Sequence, residues 1–307
     1  MTIAFVLSGG GSLGAVQVGM LEALAEYDVH PDVLVGTSAG ALNAAWVAAH
    51  GMSRSSLDGL ASIWTGLRRT DIFPVDTRRV LRAVLGLGSA LTSPHRLDRL
   101  VRAHAGIEFV EEAAVPLHLL ATDLLSGKPV LISNGPLASG VLASAAIPGV
   151  FPPVERYGQV LVDGGVSGQS GVGQAVELGA TTIYVVPAGA ACALPQPPRS
   201  AIGVALHALS LLLETRLANE IARYSATIDV RILPPLCPLA VSAADFGHAE
   251  ELIERSRSSA LAWIADGGLD RSSPERFLSV HEHDDTRGRD PYPGDGRSPG
   301  QSALGVR

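Results

Sequence analysis

Hydrophobic positions follow two alternating patterns along most of the chain. Short apolar runs, typical of buried strands, alternate with longer stretches in which apolar residues recur at helical spacing. The short runs predict strands at residues 3–7, 32–35, 116–122, 129–133, 159–162, 182–186 and 229–233. The longer stretches predict helices at residues 16–27, 41–50, 54–68, 78–87, 94–104, 136–144, 173–178, 201–226 and 248–266. This alternation predicts an α/β fold with a mainly parallel central sheet flanked by helices.

The alternating pattern ends near residue 266. Residues 267–307 are rich in Pro, Gly, Ser, Asp and Arg and show little apolar periodicity, so we predict a disordered polar tail there. The chain of 307 residues is 47% hydrophobic and only 17% charged, which is enough to bury a large core. We therefore expect one domain over residues 1–266, followed by the tail.

A serine lies where the second predicted strand meets the helix that follows it. The pentapeptide 36–40 reads Gly-Thr-Ser-Ala-Gly. Glycines two positions before and after a serine permit the sharp turn of a nucleophile elbow, because bulkier side chains would crowd the backbone. The turn holds the Ser38 hydroxyl at a helix N-terminus, where the helix dipole favours developing negative charge. Gly36, Ser38 and Gly40 thus predict a nucleophile elbow, and a purely structural turn is the alternative.

A glycine-rich loop follows the first predicted strand. In its sequence Ser-Gly-Gly-Gly-Ser-Leu-Gly, the residues Gly9, Gly11 and Gly14 also match the dinucleotide-binding pattern G-x-G-x-x-G. Dinucleotide binding requires an acidic residue near the end of the second strand, whereas Asp32 lies at its beginning. The alternative is an oxyanion hole, in which backbone N–H groups of Gly9, Gly10 and Gly11 point at a developing negative charge.

A serine nucleophile needs a base, and lysine and histidine fit this chain poorly. The only lysine, Lys128, lies in a predicted turn between strands, where a solvated position is the simpler interpretation. His207 or His248 could serve in an α/β-hydrolase. That fold places several strands before its elbow, but only residues 1–35 precede the pentapeptide here.

A carboxylate that acts directly is the third kind of base. Asp163 follows the predicted strand 159–162 and precedes Gly164 and Gly165. This places it at a strand end, where ligands of open α/β sheets bind, and the glycines leave its carboxylate uncrowded. An ordinary Asp-Gly-Gly turn is the alternative interpretation.

These motifs, in this order, closely resemble the patatin-like phospholipases. The resemblance rests on the glycine loop from Gly9 to Gly14, the elbow at Ser38 and the Asp-Gly-Gly turn at Asp163. Two connecting stretches add to it, namely Ala-Thr-Asp-Leu at 121–124 and Ala-Ser-Ala-Ala-Ile-Pro-Gly-Val-Phe-Pro-Pro at 143–153. The resemblance covers about residues 3 to 265.

The resemblance implies a three-layer patatin fold and a hydrolase of lipid acyl esters, of the phospholipase A or lysophospholipase type. It implies a dyad of Ser38 and Asp163, an oxyanion hole from the amides of Gly9, Gly10 and Gly11, and an acyl-serine intermediate, without metal or organic cofactor. The alternatives are a carboxylesterase or thioesterase acting on soluble substrates and a catalytically weak lipid-binding module of the same fold.

Two positions depart from the usual pattern of this family. Leu13 stands where the family commonly has a basic residue. After Gly165 the chain continues as Val-Ser-Gly-Gln-Ser-Gly-Val-Gly, whereas the family commonly has asparagine and proline. The added glycines predict a looser loop beside Asp163. Both departures affect the expected activity level and substrate choice more than the type of reaction.

Charge and composition narrow the choice of partners. The formal net charge of −7 argues against nucleic acid as a partner. The family resemblance implies a lipid or ester substrate, which a lipid enzyme would meet at a membrane surface. Cys192 and Cys237 give no disulfide framework and predict unpaired thiols in a reducing compartment. The N-terminus lacks a secretory pattern, and the apolar stretch 201–213 is shorter than the roughly 20 residues that span a bilayer. We expect a cytoplasmic protein without a transmembrane segment, in peripheral contact with membranes.

Overall fold

A single mixed sheet organises the computed structural model, which describes residues 1–74 and 77–270. The strands are β1 (Ile3–Leu7), β2 (Val33–Thr37), β3 (Leu117–Asp123), β4 (Pro129–Ile132), β5 (Val154–Arg156), β6 (Gln159–Asp163), β7 (Thr182–Val186) and β8 (Asp229–Ile232). Their order is β5-β6-β3-β2-β1-β7-β8, and β4 also pairs with β3. The pairings from β3 through β2, β1 and β7 to β8 are parallel, whereas β4 and β6 run antiparallel to β3 and β5 antiparallel to β6.

Helices cover both faces of this sheet. They are α1 (Gly14–Glu26), α2 (Ala39–His50), α3 (Arg54–Gly66), α4 (Arg69–Ile72), α5 (Thr77–Val84), α6 (His95–His104), α7 (Leu137–Ser144), α8 (Val172–Glu177), α9 (Ala201–Tyr224) and α10 (Ala249–Ala265). Side chains alternate across a strand, so Phe5 and Leu7 of β1 join one core cluster while Ala4 and Val6 join the other. Both faces are buried, which confirms the predicted α/β fold with helices on either side of a central sheet.

All strands and helices predicted from the sequence are present, with ends that differ by at most three residues. The sequence missed β5 and α4, because a strand of three residues and a helix of little more than one turn are too short to show a repeating hydrophobic pattern. The centre of the sheet is parallel as predicted, but β4 and β6 are antiparallel to β3. The predicted polar tail lies, from residue 271 onward, outside the described residues and stays a prediction.

Strands β2 and β6 meet end to end along one edge of β3. Thr37 at the end of β2 lies opposite Leu120, and Asp163 at the end of β6 lies opposite Ala121. β4 occupies the other edge of β3 over the same residues. Because β2 is parallel and β6 antiparallel to β3, their carboxyl ends point at each other. The register therefore brings Ser38, the residue after β2, next to Asp163.

Helix α9 is longer than the apolar stretch in its sequence suggests. It has 24 residues, and a window within it has a mean hydropathy of 1.4, so by length and composition alone it could cross a membrane. Its buried side chains Leu206, Leu213, Leu217 and Ile221 recur at helical spacing, and Leu206, Leu217 and Ile221 join the two core clusters. One face of α9 therefore packs on the core, while 28% of the apolar window is buried and Val204, Leu211 and Leu212 are exposed.

Candidate active site

Ser38 occupies a strained turn between β2 and α2. Its φ of 54° and ψ of −119° describe a backbone conformation that residues other than glycine rarely adopt. Holding a residue in such a conformation costs about 1–3 kcal/mol. The flanking glycines are required by close packing, because a Cβ on Gly40 would overlap the carbonyl oxygen of Leu7 and one on Gly36 would lie 2.7 Å from Ala41 Cα. The Ser38 side chain makes no capping hydrogen bond to α2. The turn thus has the geometry of the predicted elbow, with the hydroxyl free of the helix.

Asp163 presents a buried carboxylate to this turn. The residue is 0% exposed, and its Oδ1 accepts a hydrogen bond from the Gly165 amide at 2.8 Å. Burial raises the pKa of Asp163 from its usual 3.8 to about 6, and hydrogen bonding with the Ser38 side chain and from the Gly165 amide partly opposes the increase. Ser38 is close enough to influence this pKa, although no hydrogen bond of normal geometry joins it to Asp163 Oδ2.

Two buried side-chain oxygens at this point have no hydrogen-bond partner within the described residues. They are Asp163 Oδ2 and Thr37 Oγ1, which belongs to the residue before Ser38. Buried polar atoms are nearly always hydrogen-bonded in folded proteins, so each exception needs an explanation. Two such atoms beside a strained serine mark the place where the site can accept a proton or bind a polar group.

The glycine loop lies against the elbow. A Cβ on Gly9 would lie 3.1 Å from Ser38 Cβ, which leaves the loop backbone directly beside the serine. The loop is held at one end by Ser8 Oγ, which accepts from the Ala188 amide at 2.9 Å, and at the other by Ser12, whose amide donates to Ala243 O at 2.9 Å. No described residue accepts a hydrogen bond from the amides of Gly9, Gly10 or Gly11. These donors are therefore free for a ligand.

The end of this loop packs against the protein core through Leu13 and Gly14. A Cβ on Gly14 would lie 2.6 Å from Trp64 Cη2 and 2.9 Å from Ala39 Cβ, so glycine lets α1 approach α2 and α3. Leu13 is completely buried in the core. The unusual residue at this position thus adds apolar packing, and the loop itself supplies no charged side chain to the site.

Helix α9 lies over the glycine loop and the Asp-Gly-Gly turn. A Cβ on Gly165 would lie 2.7 Å from Leu213 Cδ2, and one on Gly9 would lie 3.3 Å from Leu213 Cδ1. Gly164 is equally constrained, because its Cβ would overlap the carbonyl oxygen of Leu120. Glycine at these positions lets β3, the Asp163 turn and α9 converge on Ser38.

The other bases that the sequence left open lie elsewhere. Lys128 is exposed in the turn between β3 and β4. A ring nitrogen of His248 lies 3.3 Å from a Glu251 carboxylate oxygen on the surface. His207 is half-buried on α9 and makes no hydrogen bond to the described part of the chain. Asp163 is the candidate base that the register on β3 places next to Ser38, close enough for the serine to influence its pKa.

Sequence reasoning missed two residues that hold the site together. Ser144, which is completely buried, accepts a hydrogen bond from the Ser38 amide at 3.0 Å and donates to Leu120 O at 2.6 Å. Thr122 Oγ1 donates to Asp163 O at 2.9 Å and accepts from the Ser167 amide at 3.0 Å. Both residues belong to the connecting stretches that carried part of the family resemblance. A polar residue inside each of these apolar stretches was the available signal.

Replacing Ser144 should loosen the elbow without touching the reacting atoms. Ser144→Ala leaves the Ser38 amide and Leu120 O unpaired in the core, so we expect a loss of about 1–3 kcal/mol in the free energy of unfolding. We also expect a fall of roughly 10–100-fold in any ester hydrolysis rate, because small misplacements of a nucleophile are costly. Urea unfolding and initial rates measure the two effects. Ser210→Ala, which removes a buried hydroxyl bonded to Leu206 O of its own helix, is the control, and full activity in Ser144→Ala would contradict this role.

Comparison with known proteins places the site within a family. The model of the patatin-like phospholipases matches residues 5–176, which is more than half of the chain. An uncharacterized NTE family protein of Mycobacterium tuberculosis is 34% identical over 166 residues, covering 53% of this chain and 42% of the relative. Lysophospholipase nte1 of Aspergillus terreus is 27% identical over 195 residues, covering 61% of this chain and 12% of the relative.

The chain therefore spans less than half the length of these two relatives. Among solved structures, VipD from Legionella pneumophila has a TM-score of 0.46 at 14% identity, with 88% of this chain and 67% of VipD covered. The residues matched by the family model include the glycine loop, the elbow at Ser38 and the turn at Asp163. The chain belongs to the patatin-like phospholipase family.

Proposed function

We propose that this chain is a serine hydrolase of lipid acyl esters, of the phospholipase A or lysophospholipase type, with Ser38 as nucleophile and Asp163 as base. One observation carries the proposal: a strained serine turn meets a buried carboxylate whose second oxygen has no partner within the described residues. Family membership supports ester hydrolysis. The name of the Aspergillus relative, a lysophospholipase, supports a lipid substrate.

In the first half of the proposed reaction, Ser38 Oγ attacks the carbonyl carbon of the ester while its proton passes to Asp163 Oδ2. The carbonyl oxygen becomes an oxyanion, which the free amides of Gly9, Gly10 and Gly11 would stabilise. When the tetrahedral intermediate collapses, the alcohol leaves with the proton from Asp163. The acyl group then remains on Ser38.

In the second half, water attacks the acyl-serine. Asp163 accepts a proton from this water, and the same amides stabilise the second oxyanion. Collapse of the intermediate breaks the bond to Ser38 Oγ, which recovers the proton held by Asp163. The products are a free carboxylic acid and the regenerated serine.

The environment of Asp163 suits this role. An aspartate in water, with a pKa near 3.9, accepts a proton from serine poorly. Burial raises the pKa of Asp163 to about 6, which brings it closer to neutral pH, where a general base works best. The positive end of the α2 dipole and the glycine-loop amides stabilise the charge that develops on substrate.

The proposed base predicts a distinctive pH profile. Asp163 must be ionised to act, so kcat/KM should fall about tenfold per pH unit below a midpoint near 6 and level off above it. We would measure fatty acid release from lysophosphatidylcholine and hydrolysis of p-nitrophenyl butyrate between pH 4.5 and 9. The two substrates should share one midpoint, because they share the base. A midpoint near 4, or none within this range, would contradict the assignment of the buried carboxylate.

A further inference from the structure

A cavity borders the loop that follows Asp163. It has a volume of about 610 Å³ and lies between residues 167–169, α8 and the second half of α9. Four charged side chains line it, namely Arg216, Arg223, Glu177 and Glu220. Their charges cancel, so the cavity combines cationic and anionic groups without a net charge.

Arg216 projects toward the loop with no acidic partner in the described part of the chain. Glu220, four residues further along α9, is spaced for an ion pair with it. Its carboxylate is used elsewhere, however, because Glu220 accepts hydrogen bonds from the Ser170 amide at 3.0 Å, the Ser170 hydroxyl at 2.7 Å and the Gly173 amide at 3.3 Å. The guanidinium of Arg216 is therefore available to an anion.

Gly168 makes the space that Arg216 occupies. A Cβ on Gly168 would lie 2.9 Å from Arg216 Cζ and would overlap a guanidinium nitrogen, and the φ of Gly168 is 83°. The added glycine in this loop thus serves a close approach of the arginine. The sequence predicted a loose loop here, but Glu220 and Thr122 tie it down through Ser170, Gly173 and Ser167.

Gln174 gives the cavity an unsatisfied acceptor. The side chain is 6% exposed and lines the cavity; its Nε2 donates to Gln169 Oε1, and its Oε1 has no hydrogen-bond partner in the part of the chain described. A buried amide oxygen without a donor costs free energy unless a ligand supplies one. Together with the exposed carboxylate of Glu177, it fits a ligand that carries a hydrogen-bond donor or an ammonium group beside its anion.

The cavity lies close to the proposed catalytic residues. Ser167 lines it, and two hydrogen bonds of 3.0 and 2.9 Å connect the Ser167 amide through Thr122 Oγ1 to Asp163 O. On α9, Leu213, which packs beside Gly9 and Gly165, precedes Arg216 by one turn. The cavity is thus connected to the Asp163 turn through Ser167 and Thr122, and Arg216 lies one helical turn from the side chain that packs beside Gly9 and Gly165.

We propose that Arg216 binds the phosphate of a phospholipid headgroup, and that Gln174 and Glu177 accept hydrogen bonds from the amino group or hydroxyl at the far end of that headgroup. Guanidinium groups bind phosphate in a bidentate geometry, which favours Arg216 over a point charge. This assignment rests on the proposed function, because a headgroup site is useful only if the neighbouring active site hydrolyses lipid acyl esters. It predicts a preference for phospholipids over acyl esters that lack a phosphate.

Binding can be tested apart from hydrolysis. Using Ser38→Ala protein, we would measure the affinity for monomeric dihexanoyl-phosphatidylethanolamine, for dihexanoylglycerol, which lacks phosphate, and for inorganic phosphate. Arg216→Gln on this background should weaken binding of the phospholipid by about 10- to 100-fold and leave that of the diacylglycerol unchanged. Arg216→Lys should recover part of the loss. Arg102→Gln, on the exposed surface of α6, is the matched control and should change neither.

Hydrolysis assays provide a second test, after the binding measurements. In the active protein, Arg216→Gln should lower kcat/KM for the phospholipid by a similar factor and leave hydrolysis of p-nitrophenyl butyrate unchanged. Equal losses on both substrates would overturn the headgroup site and leave Arg216 a structural role. Inorganic phosphate binding that depends on Arg216, without loss of phospholipid affinity, would also overturn it in favour of a free-phosphate site. If wild type hydrolyses neither substrate, the proposed function fails, and the binding arm still decides the headgroup site.

Discussion

Ser38→Ala is expected to abolish ester hydrolysis, with a fall of about 10⁴-fold or more in kcat/KM, because removing the nucleophile of an acyl-transfer enzyme eliminates the covalent pathway. The same variant should no longer react with a fluorophosphonate probe, which labels activated serines. The oxyanion donors stay in place, so residual hydrolysis above the rate in water would come from them alone.

This loss should not come from unfolding. Alanine accepts the φ of 54° at Ser38 no more easily than serine does, and the Ser38 hydroxyl makes no capping bond, so the free energy of unfolding should change by less than about 1 kcal/mol. Ser62→Ala, on the exposed face of α3, is the control for both assays. If Ser38→Ala still hydrolyses esters or still reacts with the probe, another residue is the nucleophile and the proposed mechanism is wrong.

Asp163→Asn is expected to lose activity and gain stability. The amide cannot accept the serine proton, so we expect kcat/KM to fall by about 10³-fold or more. The gain in stability follows from the raised pKa of Asp163, which burial moves from 3.8 to about 6. Above pH 6 the native state must hold an ionised carboxylate in the core. Asparagine removes this cost, which corresponds to about 3 kcal/mol at pH 8.

The dependence of this gain on pH has a definite sign. Below pH 3.8 the carboxyl group is protonated in both the native and the unfolded states, so its ionisation does not change the free energy of unfolding. Between pH 3.8 and about 6 the unfolded state ionises while the native state keeps its proton, so native stability falls as pH rises. Asp163→Asn should therefore raise the free energy of unfolding most at pH 8, and the gain should shrink to below about 1 kcal/mol near pH 4.

Asp123→Asn is a matched control of opposite sign. Hydrogen bonds from the Ser126 and Leu125 amides lower the pKa of the exposed Asp123, so its carboxylate stabilises the native state above its usual pKa. Replacing it should reduce stability at pH 8. Urea unfolding of both variants at pH 4 and pH 8 makes the comparison. A loss of stability in Asp163→Asn at pH 8 would contradict the claim that burial of the ionised Asp163 carboxylate destabilises the native state.

Some features of this site were predictable because they depend on residues close together in the chain. The turn at Ser38 needs glycines at fixed positions, and the pentapeptide contains them. The strands and helices have hydrophobic periods that a local window detects. The meeting of Ser38 with Asp163 was predicted through a family resemblance, and the residues alone left histidine and a plain turn open. What brings the two together is the register on β3, which no local pattern encodes.

The sequence by itself determined the order and type of all the strands and α-helices except β5 and α4, and the positions of the elbow and loop glycines, since these follow from local sterics and hydrophobic spacing. Only the tertiary structure decided which distant polar groups meet: Ser144 with the Ser38 amide, Gly168 with Arg216, and Cys192 with Cys237, whose Sγ atoms lie 3.9 Å apart. The physical reason is that these contacts join residues far apart in the chain and depend on how whole elements pack. The burial that raises the pKa of Asp163 to about 6 depends on the same packing.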